Sequence, residues 1–286
     1  MTEVREFAGA KVNLALHVTG QRANGYHTLD SLVVHCADVA DGLVVEPGDG
    51  FSLAVDGPFG GGLGGANDLV ARAASAWSEA TGRAADVSVK LTKNLPVASG
   101  IGGGSSDAAA TLRALRTMRG VPVGHNDLFA VARSLGADCP MCLDPRPAFA
   151  RGIGDELTPA ELPPLHLVLA NPGVALSTPA VFAARQGDFG NPLPPLPSPS
   201  ALSDFAAWLA EAGNDLEAAA VRLEPSIKGV LAALGDCALH AGMSGSGATC
   251  YGLFGERNDA DAAATSLQKT HPDWWVRAAT TNGAPT

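Results

Sequence analysis

The sequence lacks the features that mark membrane and secreted proteins. Among its 286 residues, no apolar run reaches the roughly 18 residues that a membrane-spanning helix needs. The first residues include Glu3, Arg5 and Glu6 instead of the basic start and apolar stretch of a secretion signal. We therefore expect a globular cytoplasmic protein without membrane contact.

Basic residues are also scarce. The chain has 19 Lys and Arg against 29 Asp and Glu, which gives a net charge of −10. A broad nucleic-acid surface normally needs a basic face, so we expect no nucleic-acid partner. An anionic substrate would have to be held locally, by loop amides, a helix terminus, Mg²⁺ and a few cations such as Lys11, Lys93 and Arg22.

Cysteines are few and odd in number. Five of them without a secretion signal argue against a disulfide framework. Cys139 and Cys142 have the Cys-x-x-Cys spacing, but no second pair or histidine cluster accompanies them. A zinc or redox role is therefore the weaker interpretation, and the sequence identifies no metal ligand.

What the sequence does have is a glycine-rich loop between a strand and a helix. Residues 96–107 read Pro-Val-Ala-Ser-Gly-Ile-Gly-Gly-Gly-Ser-Ser-Asp. Apolar residues alternate before the loop and recur at helical spacing after it. We expect Ser105 or Ser106 to cap the helix, and the backbone amides and helix N-terminus to bind phosphate. A flexible connection is the alternative.

Two better-known phosphate loops do not fit this segment. A Walker loop ends in Gly-Lys-Ser/Thr, whereas this loop ends Gly-Ser-Ser-Asp at residues 104–107. The dinucleotide-binding pattern needs a small residue, usually Gly or Ala, where Ser105 stands, and an acidic residue about 20 positions later. If the loop binds phosphate, it therefore belongs to neither of these two classes.

The remaining pattern predicts two α+β domains, 1–155 and 156–286. An early strand would project Lys11 and Asn13 from one face, and the first domain would hold a largely antiparallel sheet. A second glycine loop at residues 242–248 precedes a strand, so each domain would contribute one glycine loop to a cleft. Helices are predicted at 68–81, 126–135, 177–185, 202–212, 215–223, 225–235 and from about 259, and later strands at 165–170, 249–254 and 274–279.

Five motifs occur in an order that resembles the GHMP kinases. They are Ala-Lys-Val-Asn-Leu at 10–14, Gly-Tyr-His at 25–27, the loop at 96–107, Gly-Ala-Asp-Cys-Pro at 136–140 and Ser-Gly-Ser-Gly-Ala at 244–248. The resemblance covers nearly the whole chain. It implies an N-terminal ATP-binding domain similar to a ribosomal-protein fold, a ferredoxin-like C-terminal substrate-binding domain, and an active-site cleft between them.

The resemblance also implies an activity. The Lys-x-Asn, Gly-Tyr-His and Gly-Ala-Asp-x-Pro elements together are typical of the branch that phosphorylates the 2-hydroxyl of a cytidine-diphosphate-linked methylerythritol, a step towards isoprenoid precursors by the non-mevalonate route. ATP would be the donor, with Mg²⁺ bound to the nucleotide, and the protein would be a monomer or homodimer. A homoserine or mevalonate type of kinase is the alternative, and an RNA-binding module or a thiol redox protein is a rival of another class.

Residue roles follow from the same resemblance. Asp138 would accept or orient the hydroxyl proton, and Lys11 would hold that hydroxyl and the transferring phosphoryl group. Tyr26 and Phe182 would stack on the two faces of cytosine. The other expected substrate contacts are Asn13, His27, Thr178 and Pro179, and the ATP phosphates would be wrapped by Pro96, Val97, Ala98, Ser99, Gly100, Ile101, Gly102, Gly103, Gly104, Ser105 and Ser106.

Each of these residues also has a plain structural interpretation. On its own, Asp138 after a glycine is typical of a turn, Lys11 of a solvated strand and Tyr26 or Phe182 of ordinary packing. Their joint occurrence in family order favours the functional interpretation. One departure concerns residues 67 and 68, which read Asn-Asp where the family commonly has Asp-Asn. The asparagine of the family pair is expected to contact adenine. In this chain either Asn67 or Asp68, or neither, would make that contact.

Overall fold

The computed structural model describes residues 3–66, 68–119, 124–197 and 201–281. A six-stranded sheet forms the first half and runs in the order β3-β4-β2-β5-β6, with β1 pairing on β2. Only the β3–β4 pair is parallel among the described pairs of this sheet, which confirms the prediction of a largely antiparallel sheet. The strands are β1 (Val4–Gln21), β2 (His27–Pro47), β3 (Ser52–Asp56), β4 (Val87–Thr92), β5 (Ala148–Gly152) and β6 (Glu156–Pro159).

Four helices accompany this sheet. They are α1 (Leu69–Thr81), α2 (Gly103–Arg119), α3 (His125–Leu135) and α4 (Cys139–Leu143). The predicted first helix is confirmed at both ends, because the Asp68 carboxylate accepts the Val70 N–H and Gly82 adopts a φ of 64°. Short side-chain caps and a left-handed glycine are standard helix boundaries. From the sequence, Gly120 and Pro122 would end α2, but both lie outside the described residues.

The predicted start of α2 is wrong. The helix begins at Gly103, so Ser105 and Ser106 lie inside its first turn and do not cap it. The Ser106 hydroxyl donates instead to the carbonyl of Gly9 at 2.8 Å. A serine at a loop–helix junction satisfies a cap pattern, but here a partner on β1 takes its hydroxyl.

A four-stranded antiparallel sheet forms the second half, in the order β10-β7-β9-β8. Its strands are β7 (His166–Asn171), β8 (His240–Met243), β9 (Cys250–Phe254) and β10 (Trp275–Thr280), and its helices are α5 (Thr178–Ala184), α6 (Leu202–Ala212), α7 (Glu217–Leu223), α8 (Ser226–Gly235) and α9 (Arg257–Thr270). All the helices and three of the strands were predicted within a few residues. The short strand β8 was not, because four residues are too few to show a period.

The two halves share a hydrophobic core. One buried cluster joins Val12 and Leu32 of the first sheet to Leu167 and Tyr251 of the second. The Tyr251 hydroxyl donates to the carbonyl of Leu14 at 2.5 Å, so the phenol that the core buries is also paired. The halves are therefore packed against each other where they enclose a cavity.

The change from one sheet to the other takes place after β6. Because β6 pairs with β5, the residues just beyond 155 still belong to the first sheet, and the second sheet begins at His166. The division of the chain at residue 155 stays a prediction.

Among the described helices, none combines the length and the apolar character that crossing a membrane requires.

Candidate active site

A cavity of about 430 Å³ lies where the two halves meet. Most of the residues predicted for the site lie on its wall, although they come from four separate segments of the chain. These are Lys11, Asn13, Pro96, Val97, Ala98, Ser99, Gly100, Gly102, Gly103, Gly104, Ser105, Asp138, Thr178 and Phe182. The arrangement brings a glycine loop, a cation and a carboxylate into one concave space.

Lys11 and Asp138 form an ion pair at the wall of this cavity. The Lys11 Nζ lies 2.9 Å from Asp138 Oδ2, and the two residues are 127 positions apart in the chain. Lys11 is buried, whereas 41% of the Asp138 side chain is exposed. Asp138 immediately precedes α4, which sets it at the cavity edge. A buried ammonium beside an accessible carboxylate can orient a substrate hydroxyl and stabilise charge on it.

A buried histidine lies beside Lys11 and adds no charge. His35 is the β2 residue directly opposite Lys11 in the strand register. Burial, followed by the charges of Lys11 and Arg113, lowers the pKa of His35 to about 3. Its imidazole is therefore neutral at ordinary pH, and the Lys11 ammonium is left as the positive charge facing Asp138. No sequence pattern had marked His35.

The phosphate loop, residues 96–106, is fixed by its carbonyl groups. Four consecutive carbonyls accept hydrogen bonds from surrounding backbone or hydroxyl groups. The pairs are Ala98 with the Leu176 N–H at 3.0 Å, Ser99 with the Thr249 N–H at 3.0 Å, Gly100 with the Ser244 hydroxyl at 3.0 Å and Ile101 with the Lys11 N–H at 2.9 Å. Because these carbonyls are already paired, the N–H groups of the loop can face an anion. The free N–H groups at the start of α2 can bind the same anion.

The second glycine loop, residues 242–248, meets the phosphate loop at the cavity. Gly245 and Ser246 lie on the wall, and the Ser246 and Thr178 hydroxyls are 2.7 Å apart. The prediction that both halves contribute a glycine loop is confirmed. Sequence reasoning missed the residue that holds this loop, Asn214, whose amide donates to the carbonyls of Met243 at 2.8 Å and Gly245 at 2.9 Å.

The closest approach of the two loops is at Gly100, and we expect Gly100→Ala to disrupt it. Gly100 has a φ of 80°, and a Cβ there would lie 2.4 Å from the Ser244 carbonyl oxygen and 2.8 Å from the Gly247 nitrogen. Both neighbours are backbone atoms and cannot rotate away. Overpacking of this kind costs about 1–3 kcal/mol, in addition to the left-handed strain, and we expect ATP affinity to fall as well.

Gly50→Ala is the matched control for this substitution. Gly50 also has a positive φ, 97°, but a Cβ there would meet no atom within 4 Å. The alanine should lower the stability only through the cost of its left-handed conformation, about 1–2 kcal/mol. The ATP affinity of this variant should not change. Urea unfolding and ATP titration of both variants give the comparison. Equal losses of stability and unchanged ATP binding in both would show that the two loops do not need this close contact.

Phe182, on the cavity wall, belongs to an aromatic cluster. The His27 ring stacks on Phe182 with centroids 4.8 Å apart and planes at 20°, and Phe189 meets His27 edge-on at 6.2 Å. Tyr26 is exposed. His27 covers one face of Phe182, so a cytosine could stack on that same face only if His27 turned away. The Tyr26–Phe182 pairing stays a prediction, as does the contact from Pro179, the second residue of α5.

Three further positions have side chains that are buried or already hydrogen-bonded. The Ile101 side chain and Ser106 are buried, so only their backbone could face a ligand. Asp68 lies on the cavity wall, with one carboxylate oxygen on the Val70 N–H and the other 3.3 Å from the Gly64 N–H. Asn67 lies outside the described residues, so the adenine contact remains an open prediction.

The Cys-x-x-Cys spacing does not form a reactive site. Burial raises the pKa of Cys139 to about 11 and that of Cys142 to about 12, and the thiolate is the reactive form. All five cysteines are free thiols, and only Cys237 is exposed. We expect a thiol reagent at pH 8 to titrate one thiol in the folded protein and five after denaturation. Rapid reaction of two further thiols in the folded protein would contradict this.

A magnesium ion at this site would have few carboxylate ligands from the protein. In the described part of the chain, no group of three or more His, Cys, Asp or Glu residues could hold a metal. Mg²⁺ commonly uses substrate phosphates, water and only one or two carboxylates. Asp138 is a partly exposed carboxylate on the cavity wall that could join such a shell, and the bound ion would neutralise phosphate charge.

Known proteins resemble this chain over nearly its whole length. The model of the GHMP kinases N terminal domain matches residues 68–144, and the GHMP kinases C terminal model matches residues 198–273. The 4-diphosphocytidyl-2-C-methyl-D-erythritol kinase of Rhodospirillum rubrum is 48% identical over 96% of this chain and 91% of its own length. The protein of the same name from Ruegeria pomeroyi is 50% identical over 95% of this chain and 97% of its own.

Solved structures give the same result for the fold. A crystal structure of 4-(cytidine 5'-diphospho)-2C-methyl-D-erythritol kinase matches with a TM-score of 0.82 and 38% identity, over 98% of this chain and 100% of that one. A homoserine kinase from Cytophaga hutchinsonii matches with a TM-score of 0.73 over 100% of this chain and 96% of its own, at 20% identity. At that identity the second likeness concerns the fold alone.

Proposed function

Because the chain belongs to the GHMP kinase family, we propose that it transfers the γ-phosphoryl group of ATP to the 2-hydroxyl of 4-diphosphocytidyl-2-C-methyl-D-erythritol, giving the 2-phosphate and ADP. The two-domain α+β fold is that of the family, as the motifs had implied. The observation that carries the proposal is the Lys11–Asp138 pair beside a glycine loop in one cavity, in a chain about half identical to kinases named for this substrate.

The Lys11–Asp138 pair suits transfer to a hindered hydroxyl. The 2-hydroxyl is on a carbon with a methyl branch, so it is weakly acidic and must be placed in line with the γ-phosphorus. Asp138, at the accessible edge of the cavity, accepts the proton or orients the hydroxyl. Lys11, 2.9 Å away, holds the transferring oxygens by charge. Phosphoryl transfer through a loose transition state depends chiefly on such positioning and electrostatics.

The phosphate loop is proposed to hold the donor. Its carbonyl edge is tied to the protein, which supports a preorganised row of N–H groups for the ATP phosphates, together with the positive end of the α2 dipole. Mg²⁺ bound to ATP would neutralise further phosphate charge. Local recognition of this kind suits a protein of net charge −10, which binds small anions without attracting nucleic acid.

The aromatic cluster is proposed to receive the cytidine end of the substrate. Phe182 and His27 already stack, and Tyr26 adjoins His27 in the chain with an exposed ring. Aromatic faces bind a flat base by stacking, so the cluster can select a cytidine compound over a small acceptor such as homoserine. Asn13, Thr178 and Pro179 are proposed to contact the rest of the substrate. We propose a cytoplasmic monomer or homodimer.

Release of ADP separates this proposal from its rival within the family. Purified protein with Mg-ATP is given 4-diphosphocytidyl-2-C-methyl-D-erythritol, homoserine or mevalonate, and ADP is measured by a coupled assay. We expect ADP release with the cytidine compound alone. Release with homoserine or mevalonate in its place would favour the rival, and strong salt-dependent RNA binding without ADP release would favour a nucleic-acid module.

A further inference from the structure

A buried ion cluster beneath the phosphate loop takes no part in the chemistry above. It consists of Lys93, Asp41 and Asp107 and is called the buried triad here. The Lys93 Nζ bonds to a carboxylate oxygen of Asp41 and lies 2.7 Å from Asp107 Oδ2. At most 4% of each of these side chains is exposed. Buried ion pairs add little net stability on average, because desolvation opposes their attraction. A contribution to stability therefore does not by itself explain why three charged residues are buried at this place.

The triad is connected to both ends of the phosphate loop. On the upstream side, the second oxygen of Asp41 accepts the backbone N–H groups of Asn94 at 2.6 Å and Leu95 at 2.8 Å. These residues directly precede the loop. On the downstream side, Asp107 lies in the first turns of α2, directly after the loop. One ammonium group therefore joins the residue before the loop to the residue after it.

The ammonium also lies against the first residue of α2. A Cβ on Gly103 would lie 3.1 Å from Lys93 Nζ and 3.6 Å from Asp41 Oδ2, so glycine lets the helix start close to the triad. Both Lys93 and Gly103 lie on the cavity wall. The point where the helix offers its free N–H groups is thus set by its contact with Lys93.

Charge attraction does not explain this placement. Two carboxyl groups surround one ammonium, so the triad has no excess of positive charge with which to attract phosphate. Burial raises the pKa of Asp107, and the Lys93 charge beside it opposes this rise. The charges of Asp107 and Asp41 raise the pKa of Lys93, although burial alone would lower it. A cation so fully paired acts on the backbone around it and not on a distant anion.

We propose that Lys93 is a positioning residue that clamps the two ends of the phosphate loop and holds it in the form that binds ATP. This inference rests on the proposed function. If the clamp is lost, the loop spends less time in its competent form, and the apparent Kd for ATP rises by the same factor as the competent fraction falls. The loop amides should then also exchange faster with solvent.

Lys93→Met is the principal test, because methionine keeps much of the side-chain volume and removes the ammonium. We expect the Kd of a non-hydrolysable ATP analogue to rise about tenfold or more, measured by calorimetry. Hydrogen–deuterium exchange of residues 96–106 should become faster by a similar factor. Lys90→Met is the matched control, because Lys90 lies on β4, close before Lys93 in the chain, and pairs with Asp56 at 3.2 Å where both side chains are exposed. It should leave both values unchanged.

Asp107→Leu separates positioning from direct attraction of ATP and also serves if Lys93→Met does not fold. It removes an acidic group near the proposed phosphate site, so an electrostatic role predicts tighter ATP binding, whereas the clamp predicts weaker binding and faster exchange. Weaker binding with unchanged loop exchange in Lys93→Met, or tighter binding in Asp107→Leu, would overturn the clamp. If wild-type protein bound no ATP analogue, the proposed function itself would fail, which is a distinguishable result.

Discussion

Asp138→Asn should lower kcat by about 10²–10⁴-fold, the usual contribution of a positioned acid or base, with little change in ATP affinity. Asparagine keeps the size of the side chain and can still accept a hydrogen bond, but it cannot take the hydroxyl proton. ATP affinity should persist because the phosphate loop, and not Asp138, is proposed to hold the donor. Steady-state ADP release and calorimetric binding of an ATP analogue measure the two quantities.

Asp144→Asn is the matched control for this substitution. Asp144 follows α4, has the same 41% side-chain exposure as Asp138 and pairs with Arg146 outside the main cavity. The control should keep wild-type kcat and stability. A kcat for Asp138→Asn that remained within the range of this control would remove Asp138 from the chemistry and leave it as a helix-start residue.

Lys11→Met should lower kcat by about 10²–10³-fold, which is typical for the loss of one preorganised group that stabilises developing charge. The stability of the protein should change much less. Removing one member of an ion pair is costly when the other charge is left buried, but 41% of the Asp138 side chain is exposed, so water can solvate its carboxylate. Activity and the free energy of unfolding should therefore separate in this variant.

The double variant tests whether Lys11 and Asp138 act as one unit. Groups that serve the same step give strongly non-additive losses, so Lys11→Met with Asp138→Asn should be only slightly slower than the worse single variant. Lys90→Met, which removes a lysine with 62% side-chain exposure, controls for the change in net charge. Fully multiplicative losses would indicate that the two residues act independently.

The parts of the fold that depend on local pattern were predictable. The α1 helix has a capping aspartate and a terminal glycine, and both ends follow from elementary chain chemistry. The alternation that placed Lys11 and Asn13 on one strand face is also local, and both residues lie on the cavity wall. The start of α2 failed because the loop–helix junction depends on partners far away in sequence, Gly9 for Ser106 and Lys93 beside Gly103.

The site itself was predictable only through the order of its motifs. Lys11 and Asp138 are 127 residues apart, and no periodicity relates positions at such a distance. The buried triad was missed for the same reason, because Asp41 and Lys93 are 52 residues apart and neither stands in a recognised motif. The stacking of His27 on Phe182 likewise depends on how the start of β2 meets α5, which side-chain type alone does not determine.

The cavity is proposed to bind ATP beside a cytidine-linked methylerythritol and to transfer the γ-phosphoryl group to its 2-hydroxyl. The most direct test of this proposal is to follow the γ-phosphoryl group into the product and to locate it by phosphorus and carbon NMR. We predict one new phosphate per ADP, bound to the oxygen of the methyl-bearing carbon, and almost none with Asp138→Asn. Phosphate on another hydroxyl, or ADP formed with no phosphorylated product, would contradict the account.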